Sequence, residues 1–327
     1  MRVLVTGGAG YIGSHACKAL AKAGHEPLVL DNLSTGHTWA IKWGRFLEWD
    51  LAHTEMLPQF LEAEQVEAVL HFAASLLVAE SVQEPRKYFW NNVVNTLRLL
   101  DAMLQAGVKR IVFSSSAATY GNPLKVPIPE DHPKEPVNPY GETKLAMERA
   151  LQWYGNAYGI KWIALRYFNA AGADAEGDIG ESHDPEAHLI PLIIRAARGQ
   201  RPHVEIYGTD YPTPDGTAIR DYIHVTDLAD AHVQALEYLR DGGESRALNL
   251  GTGRGYSVRE VIKAVGTMCP HPIPFREGPR RAGDPPVLIA DASQAGRVLG
   301  WKPRRSELDC IVRDAWNWHA KVNPTTI

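Results

Sequence analysis

The sequence predicts an α/β fold, a doubly wound parallel sheet joined to a smaller, loop-rich α/β domain. Three observations support it. A short apolar run, a glycine turn and a helix-period segment open the chain at residues 2–24. Apolar runs and helix-period stretches then alternate to about residue 168. From Asn169 that rhythm breaks into Gly-, Asp- and Pro-rich segments at 172–187, 208–217 and 270–286.

The first strand is Arg2-Val3-Leu4-Val5-Thr6, and the turn after it is Gly7-Gly8-Ala9-Gly10-Tyr11-Ile12-Gly13. Its glycines read both as Gly8-x-Gly10-x-x-Gly13 and as Gly7-x-x-Gly10-x-x-Gly13. A helix carrying Ala16, Leu20 and Ala21 follows and closes at Gly24. Strand, glycine turn and helix start make a Rossmann-type dinucleotide fingerprint, in which backbone approaches a pyrophosphate held against free N–H groups. The second strand, Pro27-Leu28-Val29-Leu30, ends in Asp31, whose carboxylate suits ribose hydroxyls and repels a 2′-phosphate. That favours NAD over NADP.

Further strands are expected at Ala68-Val69-Leu70-His71, Arg110-Ile111-Val112-Phe113-Ser114 and Trp162-Ile163-Ala164-Leu165-Arg166. Between them fall a helix from near Asn91 through Leu97 and Leu100, and another opened by Pro139. Asp221-Tyr222-Ile223-His224-Val225 with its following helix, and Ala247-Leu248-Asn249-Leu250, read as later sheet units. The expected division is interleaved: residues 1–168 with about 219–250 hold the nucleotide, and about 169–218 with 251–327 hold the substrate. No internal repeat or low-complexity segment interrupts it.

With 327 residues, 45% apolar and 22% charged, the chain is globular and long enough for a large core. A net charge of −4 gives no electrostatic case for nucleic acid or a membrane surface. Arg276, Arg280 and Arg281 are a local basic cluster that suits one diphosphate rather than a polymer. Cys17, Cys269 and Cys310 lack any paired spacing, so neither a disulfide frame nor a zinc site is expected. No apolar run nears 18 residues, so a cytoplasmic protein without a signal peptide or membrane span is expected. The nine tryptophans read as core or interface anchors.

The chemistry-bearing segment is Asn138-Pro139-Tyr140-Gly141-Glu142-Thr143-Lys144. On a helix, positions i and i+4 share a face, so the Lys144 ammonium and the Tyr140 ring share a site. A phenol of pKa ~10 is a poor base at neutral pH, and a neighbouring cation favours its phenolate. Ser114-Ser115-Ser116 after a strand supplies hydroxyls, though such a run also simply caps helices. His183-Asp184-Pro185-Glu186-Ala187-His188 mixes imidazole and carboxylate at irregular loop spacing, and no metal is placed there.

The glycine turn, Ser114-Ser115-Ser116 and Tyr140-x-x-x-Lys144 together resemble the extended short-chain dehydrogenase/reductase superfamily. Longer segments narrow the resemblance to the bacterial UDP-glucose 4-epimerase family. These are Ser114-Ser115-Ser116-Ala117-Ala118-Thr119-Tyr120-Gly121, Arg166-Tyr167-Phe168-Asn169, residues 210–217, and Arg220-Asp221-Tyr222-Ile223-His224-Val225. Asn249-Leu250-Gly251-Thr252-Gly253 and Arg281-Ala282-Gly283-Asp284 extend it to most of the chain. The resemblance implies a retained NAD and a 4-keto sugar that turns over while anchored by its UDP. It gives Tyr140 the role of base and Lys144 that of holding the nicotinamide ribose and lowering the phenol's pKa. Ser116 would bond the reacting oxygen. Cofactor contacts are implied for Gly7, Gly10, Tyr11, Ile12, Gly13, Asp31, Asn32, Asp50, Leu51, Phe72, Ala73, Asn91, Ser114 and Tyr167. Substrate contacts are implied for Asn169, His188, Leu189, Tyr207, Arg220, Arg281, Asp284 and Leu288. A homodimer through helices near 92–106 and 140–157 is implied by the same analogy.

The sequence also separates this family from its neighbours. Sugar-nucleotide 4,6-dehydratases place an Asp-Glu pair where this chain has Ala117 and Ala118, and methyl groups move no protons. Related decarboxylases usually place a glutamate at the second position. A non-catalytic NAD-sensing protein would typically lose Tyr140 or Lys144, and both are present. Leu76 stands where some members carry lysine, and His188 replaces an asparagine of some relatives while keeping a donor. The resemblance puts Leu288 at the family's sugar-pocket gatekeeper position, where tyrosine narrows the site, so some N-acetylhexosamine turnover is expected beside glucose and galactose. A UDP-pentose pair is left open.

Overall fold

The computed structural model describes residues 1–281 and 283–322. Ala282 and residues 323–327, assigned from sequence to the substrate domain, lie outside the described residues. Six strands come first: Arg2–Thr6 (β1), Glu26–Asp31 (β2), Arg45–Glu48 (β3), Ala68–His71 (β4), Arg110–Ser114 (β5) and Lys161–Tyr167 (β6). Helices Tyr11–Lys22 (α1), Leu57–Ala63 (α2), Val78–Gln83 (α3), Pro85–Tyr88 (α4), Asn95–Gln105 (α5) and Pro139–Tyr158 (α6) fill the crossovers. Four shorter strands follow, Asn169–Ala171 (β7), Val204–Tyr207 (β8), Ile219–Arg220 (β9) and Tyr222–His224 (β10), with helices Leu189–Ala197 (α7) and Val225–Arg240 (α8). Arg246–Leu250 (β11) then returns to the first sheet.

That sheet is wholly parallel, in the order β11-β6-β5-β4-β1-β2-β3. Strand order reverses at β1, so the crevice beyond the carboxyl ends of β1 and β4 is the switch point where ligands of such sheets bind. Both faces are covered, which is why its strands read as continuous apolar runs. Val3, Val5, Leu70 and Val112 face α1 and α8, packing with Leu20, Leu228 and Leu236. Leu4, Val69, Ile111 and Phe113 point the other way, onto Leu61, Leu99, Met103 and Met147.

Helix α6 has a well-made start. Asn138 Oδ1 accepts from the Gly141 N–H at 2.9 Å, Pro139 opens the first turn, and Gly159 closes the helix at φ +71°. Ahead of α5 the chain makes a π-type turn over Phe89–Val94, which breaks the helix expected from near Asn91.

The later elements depart from expectation in one respect. Of the two late sheet units, only β11 joins the large sheet. β10 pairs with β7, and β9 pairs with Tyr256–Ser257 (β12) and Val287–Leu288 (β14), while Phe275–Gly278 (β13) pairs with β8. A third buried cluster gathers Ile190, Ile193 and Ile194 of α7 with Val261 and Val265 of Val258–Gly266 (α9). Ile311 and Val312 of Leu308–Val322 (α11) complete it, and Ser293–Leu299 (α10) lies under β11. Among the described residues no helix is long and apolar enough to cross a membrane.

Asp221, fully buried between β9 and β10, knots these short strands together. Its carboxylate accepts from Thr252 N (2.9 Å), Thr252 Oγ1 (2.8 Å), Gly253 N (3.2 Å) and Ala290 N (3.2 Å). Burial pushes its pKa up and those donors oppose the shift. Asp221→Ala leaves three backbone N–H groups without an acceptor. It is predicted to lower unfolding stability by about 3 kcal/mol in urea titrations, and a loss under ~1 kcal/mol would remove Asp221 from this role.

Candidate active site

The glycine turn sits at the switch point. Gly7 has φ +72°, and a Cβ there would lie 2.6 Å from the Ala73 amide nitrogen at the end of β4. A Cβ on Gly13 would strike the Gly7 carbonyl oxygen. Phe72 and Ala73 both donate their N–H to Thr6 O, at 2.9 and 3.2 Å, which fixes that close approach. Gly10 caps α1 without a side chain, so the first-turn N–H groups of Tyr11, Ile12 and Gly13 have no side-chain acceptor. An anion is the natural partner for such a helix start.

At the end of β2, Asp31 accepts from Ala9 N at 3.0 Å and Leu33 N at 2.8 Å. Burial raises its pKa, and the two N–H groups oppose that. A carboxylate has about four lone-pair sites, so two remain for hydroxyls. Asn32 donates to Asp50 Oδ2 at 3.0 Å, and Asp50 Oδ1 takes the Ala52 N–H at 2.7 Å. Burial pulls Asp50 up, but those bonds outweigh it and hold it low. Leu51 is buried in the core below. Uncapped helix start, glycines that cannot carry a Cβ, and an acid on the neighbouring strand together fit a dinucleotide.

On the other side of the crevice, Lys144 is 4% exposed and donates to Ser114 O at 2.7 Å. Its ammonium lies 5.8 Å from the Tyr140 ring centroid and 5.0 Å from that of Phe113. Burial lowers its pKa to about 7 against the opposing pull of Glu148. The phenol behaves differently from expectation. Burial raises the Tyr140 pKa, and the group that lowers it is the Ser116 hydroxyl rather than Lys144, whose hydrogen bond goes to backbone. Ser116 also accepts from Ala118 N at 3.1 Å, so it caps the turn at 117–119 as well as meeting Tyr140. Ser114 Oγ is hydrogen-bonded to the Tyr167 hydroxyl.

Asn91 donates to Ser75 Oγ at 3.1 Å. Its neighbour Asn92, absent from the expected set, does more. It is 3% exposed, takes the Ser75 N–H at 2.7 Å and donates to Ser75 O and Thr143 Oγ1 at 3.0 and 3.1 Å. That ties the loop after β4 to α6. Glu148 and Arg166 were also missed. Glu148 stands four residues beyond Lys144 on the same face of α6, the signal that could have found it. Its carboxylate takes Arg166 Nε at 2.8 Å, Arg166 Nη2 at 2.5 Å and Ser115 Oγ at 2.5 Å. Arg166 also donates to Tyr120 Oη at 2.8 Å, which donates to Asn249 Oδ1 at 2.7 Å.

Of the residues expected at the substrate, Arg281 and Asp284 line a cavity of about 530 Å³ together with Tyr211, Arg280 and Gly283. Arg281 stacks over the Tyr207 ring at 4.8 Å. Asp284 is not free: it pairs with Arg220 Nη2 at 2.5 Å and Arg281 Nη2 at 3.4 Å. Asn169 opens β7 and donates its N–H to Asp221 O at 3.1 Å. Leu288 in β14 accepts from Asp221 N at 3.0 Å and packs with Phe168 against Ala117, Tyr120 and Ile128. Leu189 begins α7. His188 precedes it, and its Nδ1 faces Glu181 at 2.7 Å and Glu186 at 3.2 Å rather than open solvent.

Residues 3–251 match the NAD dependent epimerase/dehydratase family. The chain is 51% identical over 319 residues to a UDP-glucose 4-epimerase of Halalkalibacterium halodurans, covering 98% of this chain and 96% of that protein. It superposes on the crystal structure of UDP-glucose 4-epimerase from Brucella ovis in complex with NAD with a TM-score of 0.95, at 52% identity and 97% coverage of each chain. A UDP-glucose-4-epimerase from Stenotrophomonas maltophila, with bound NAD and formylated UDP-arabinopyranose, gives a TM-score of 0.96 at 43% identity over 99% of each chain. With its parallel sheet, glycine turn and Tyr140-Lys144 face, the chain belongs to the NAD dependent epimerase/dehydratase family.

Proposed function

We propose that the protein interconverts UDP-glucose and UDP-galactose by transient oxidation at C4 of the sugar, with NAD retained through each turnover. The observation that carries this reading is Tyr140 bonded to Ser116 near a buried Lys144, with Ala117 and Ala118 at the two positions after Ser116. A Tyr140 phenol with alanines where a dehydratase carries its Asp-Glu pair suits proton removal from a hydroxyl, not elimination of water.

Bound NAD supplies the hydride acceptor at C4, the return donor, and a positive ring that favours the phenolate. Tyr140 takes the proton of the sugar 4-hydroxyl, and Ser116, within its hydrogen-bonding reach, relays it. Lys144 holds the nicotinamide ribose; Ser114, Tyr167 and Asn91 line that end. Gly7, Gly10, Tyr11, Ile12 and Gly13 hold the pyrophosphate, Asp31 and Asn32 the adenosine ribose, and Asp50, Leu51, Phe72 and Ala73 the adenine side. Arg220 and Arg281 suit the diphosphate of UDP, and Asp284, now shared between them, suits its ribose. Asn169, His188, Leu189 and Tyr207 complete the anchor from which the 4-keto sugar turns. Leu288 leaves more room than tyrosine, so some UDP-N-acetylhexosamine also turns over.

In this reading residues 1–168 with about 219–250 hold the cofactor, and about 169–218 with 251–327 hold the UDP-sugar. Exposed Phe89, Trp90, Trp153 and Tyr158 on the 89–94 turn and α6 offer a face for a homodimer. Cys17, Cys269 and Cys310 are free thiols, which suits the cytoplasm.

Incubated without added cofactor, the protein is expected to convert UDP-galactose to its C4 epimer and UDP-N-acetylgalactosamine more slowly. Conversion of neither, even with NAD added, would overturn the reaction, and a Leu288→Tyr variant with an unchanged ratio of acetylated to plain sugar turnover would overturn the role of Leu288. Tyr140→Phe should keep its NAD and lose roughly 10²–10⁴-fold in turnover; activity within a few-fold of wild type would remove Tyr140 as base. Light scattering should find a dimer, and a monomer mass alone would exclude one.

Lys144 gives a pH prediction. Its folded pKa near 7 lies below the unfolded ~10.4, so the unfolded chain binds the extra proton between those values and the penalty for burying Lys144 fades as pH rises through them. Lys144→Met should therefore stabilise the fold most at pH 6, with the gain shrinking by about 2–3 kcal/mol by pH 9 in urea titrations. A gain independent of pH would show that Lys144 is not destabilised by burial.

A further inference from the structure

The loop between β7 and α7 brings four side chains together that its sequence spacing does not announce. Ligand atoms of Glu181, His183, Glu186 and His188 all lie within 4.8 Å of one another. Both imidazoles turn Nδ1 toward the same two carboxylates. His183 Nδ1 is 3.2 Å from Glu181 Oε1 and 3.9 Å from Glu186 Oε1. His188 Nδ1 is 2.7 and 3.2 Å from the same two atoms. Tetrahedral zinc, with bonds of about 2.0–2.2 Å, sets its ligand atoms about 3.3 Å apart, and the four contacts bracket that spacing.

Hydrogen bonding accounts for only part of the cluster: Glu186 Oε1 accepts from the Ala187 and His188 N–H groups at 2.9 and 3.0 Å. Of these four contacts only His188 Nδ1 to Glu186 Oε1 has the geometry of a hydrogen bond. Glu181, whose side chain is 4% exposed, points Oε1 into the cluster with no donor in line, and His183 Nδ1 and Glu186 Oε2 are likewise buried without a hydrogen-bond partner. Two carboxylates packed this closely, one fully and one almost fully buried, demand positive charge. Against the lowering effect of burial, Glu181 and Glu186 push the His188 pKa up to about 10, so its imidazolium can supply one positive charge; with both imidazoles neutral the four groups carry −2, which one divalent ion neutralises. The donor set excludes the all-oxygen preference of Mg²⁺ and Ca²⁺ and matches the mixed nitrogen and oxygen ligation of Zn²⁺.

The loop is also held from outside, as a preorganised site requires. Trp318 Nε1 donates to Glu181 O at 2.9 Å, and His37 Nε2 lies 2.9 Å from Ser182 O. The Tyr11 ring meets the His183 ring edge-on at 6.2 Å. We propose that Glu181, His183, Glu186 and His188 form a structural Zn²⁺ site that clasps the β7–α7 loop between α1 and α11. With Nδ1 on the metal, His188 keeps Nε2–H as a fixed donor at the head of α7. The site itself does not depend on the substrate role given to His188 above.

The test is metal analysis by inductively coupled plasma mass spectrometry on the full-length holoprotein, carrying no affinity tag and dialysed without chelator. About one equivalent of zinc is expected, falling below ~0.1 equivalent in His183→Ala and in Glu186→Gln with NAD content and circular dichroism unchanged. Chelator-stripped wild type should gain several degrees in Tm on adding Zn²⁺, and Co²⁺ in its place should give the intense visible absorption of a tetrahedral ion. The Co²⁺ spectrum needs no variant, so it stands even if a substitution unfolds the loop. Less than ~0.1 equivalent of zinc together with no Tm shift would overturn the proposal, as would variants that keep the wild-type zinc content or an octahedral Co²⁺ spectrum.

Discussion

The buried pairing of Glu148 with Arg166 holds the active-site crevice in register. Glu148 belongs to α6, the helix that carries Tyr140 and Lys144, and Arg166 belongs to β6, so the pair locks helix to sheet directly beneath the reacting groups. Both are nearly excluded from solvent, and removing two charges from water costs several kcal/mol per ion. That cost is offset because every partner atom is used: Ser115 and Arg166 occupy Glu148, while Arg166 extends through Tyr120 to Asn249 on β11. Helix α6, strands β6 and β11 and the segment after β5 thereby share one polar network. The pair contributes position and charge more than net stability, and its negative end is what keeps Lys144 from losing its proton altogether.

The same network explains how unlike side chains hold different protonation states within a few ångströms. Lys144 and Tyr140 are both pushed toward neutrality by burial, the lysine downward and the phenol upward. Only local contacts separate them. Glu148 favours the ammonium, and Ser116 favours the phenolate. Lys144 is thereby brought to about 7, while Tyr140 stays above the ordinary phenol value, so its phenolate needs added positive charge at the nicotinamide end.

Much of this was legible in the sequence because the signals are local. The glycine turn, Asp31 after the second strand, and the i, i+4 spacing of Tyr140 and Lys144 each fall within a few residues of one another. The apolar runs gave six of the seven strands of the large sheet, missing only the short edge strand at 45–48. What was not legible is what the fold brings together from far apart. Arg166 meets Asn249 through Tyr120, Asp284 meets Arg220 across 64 residues, and β10 turns from the large sheet to pair with β7. The loop at 181–188 is the opposite case: its ligand types stand close in sequence, but irregular spacing carries no information until the chain folds around them.

The return of β11 to the edge of the first sheet has a consequence for synthesis. β6 is complete at residue 167, yet its outer edge stays unpaired until Arg246–Leu250 has been made, with the whole intervening segment folded or waiting. Until then the nascent sheet exposes Ile163 and Leu165, destined for the deep core, along an open strand edge. A parallel strand cannot be supplied by a hairpin, so closure waits on a long-range contact with its full loop entropy. The protein is therefore most vulnerable to aggregation while the ribosome is adding residues 168–250, and its two halves cannot be made as separable fragments without leaving that edge bare.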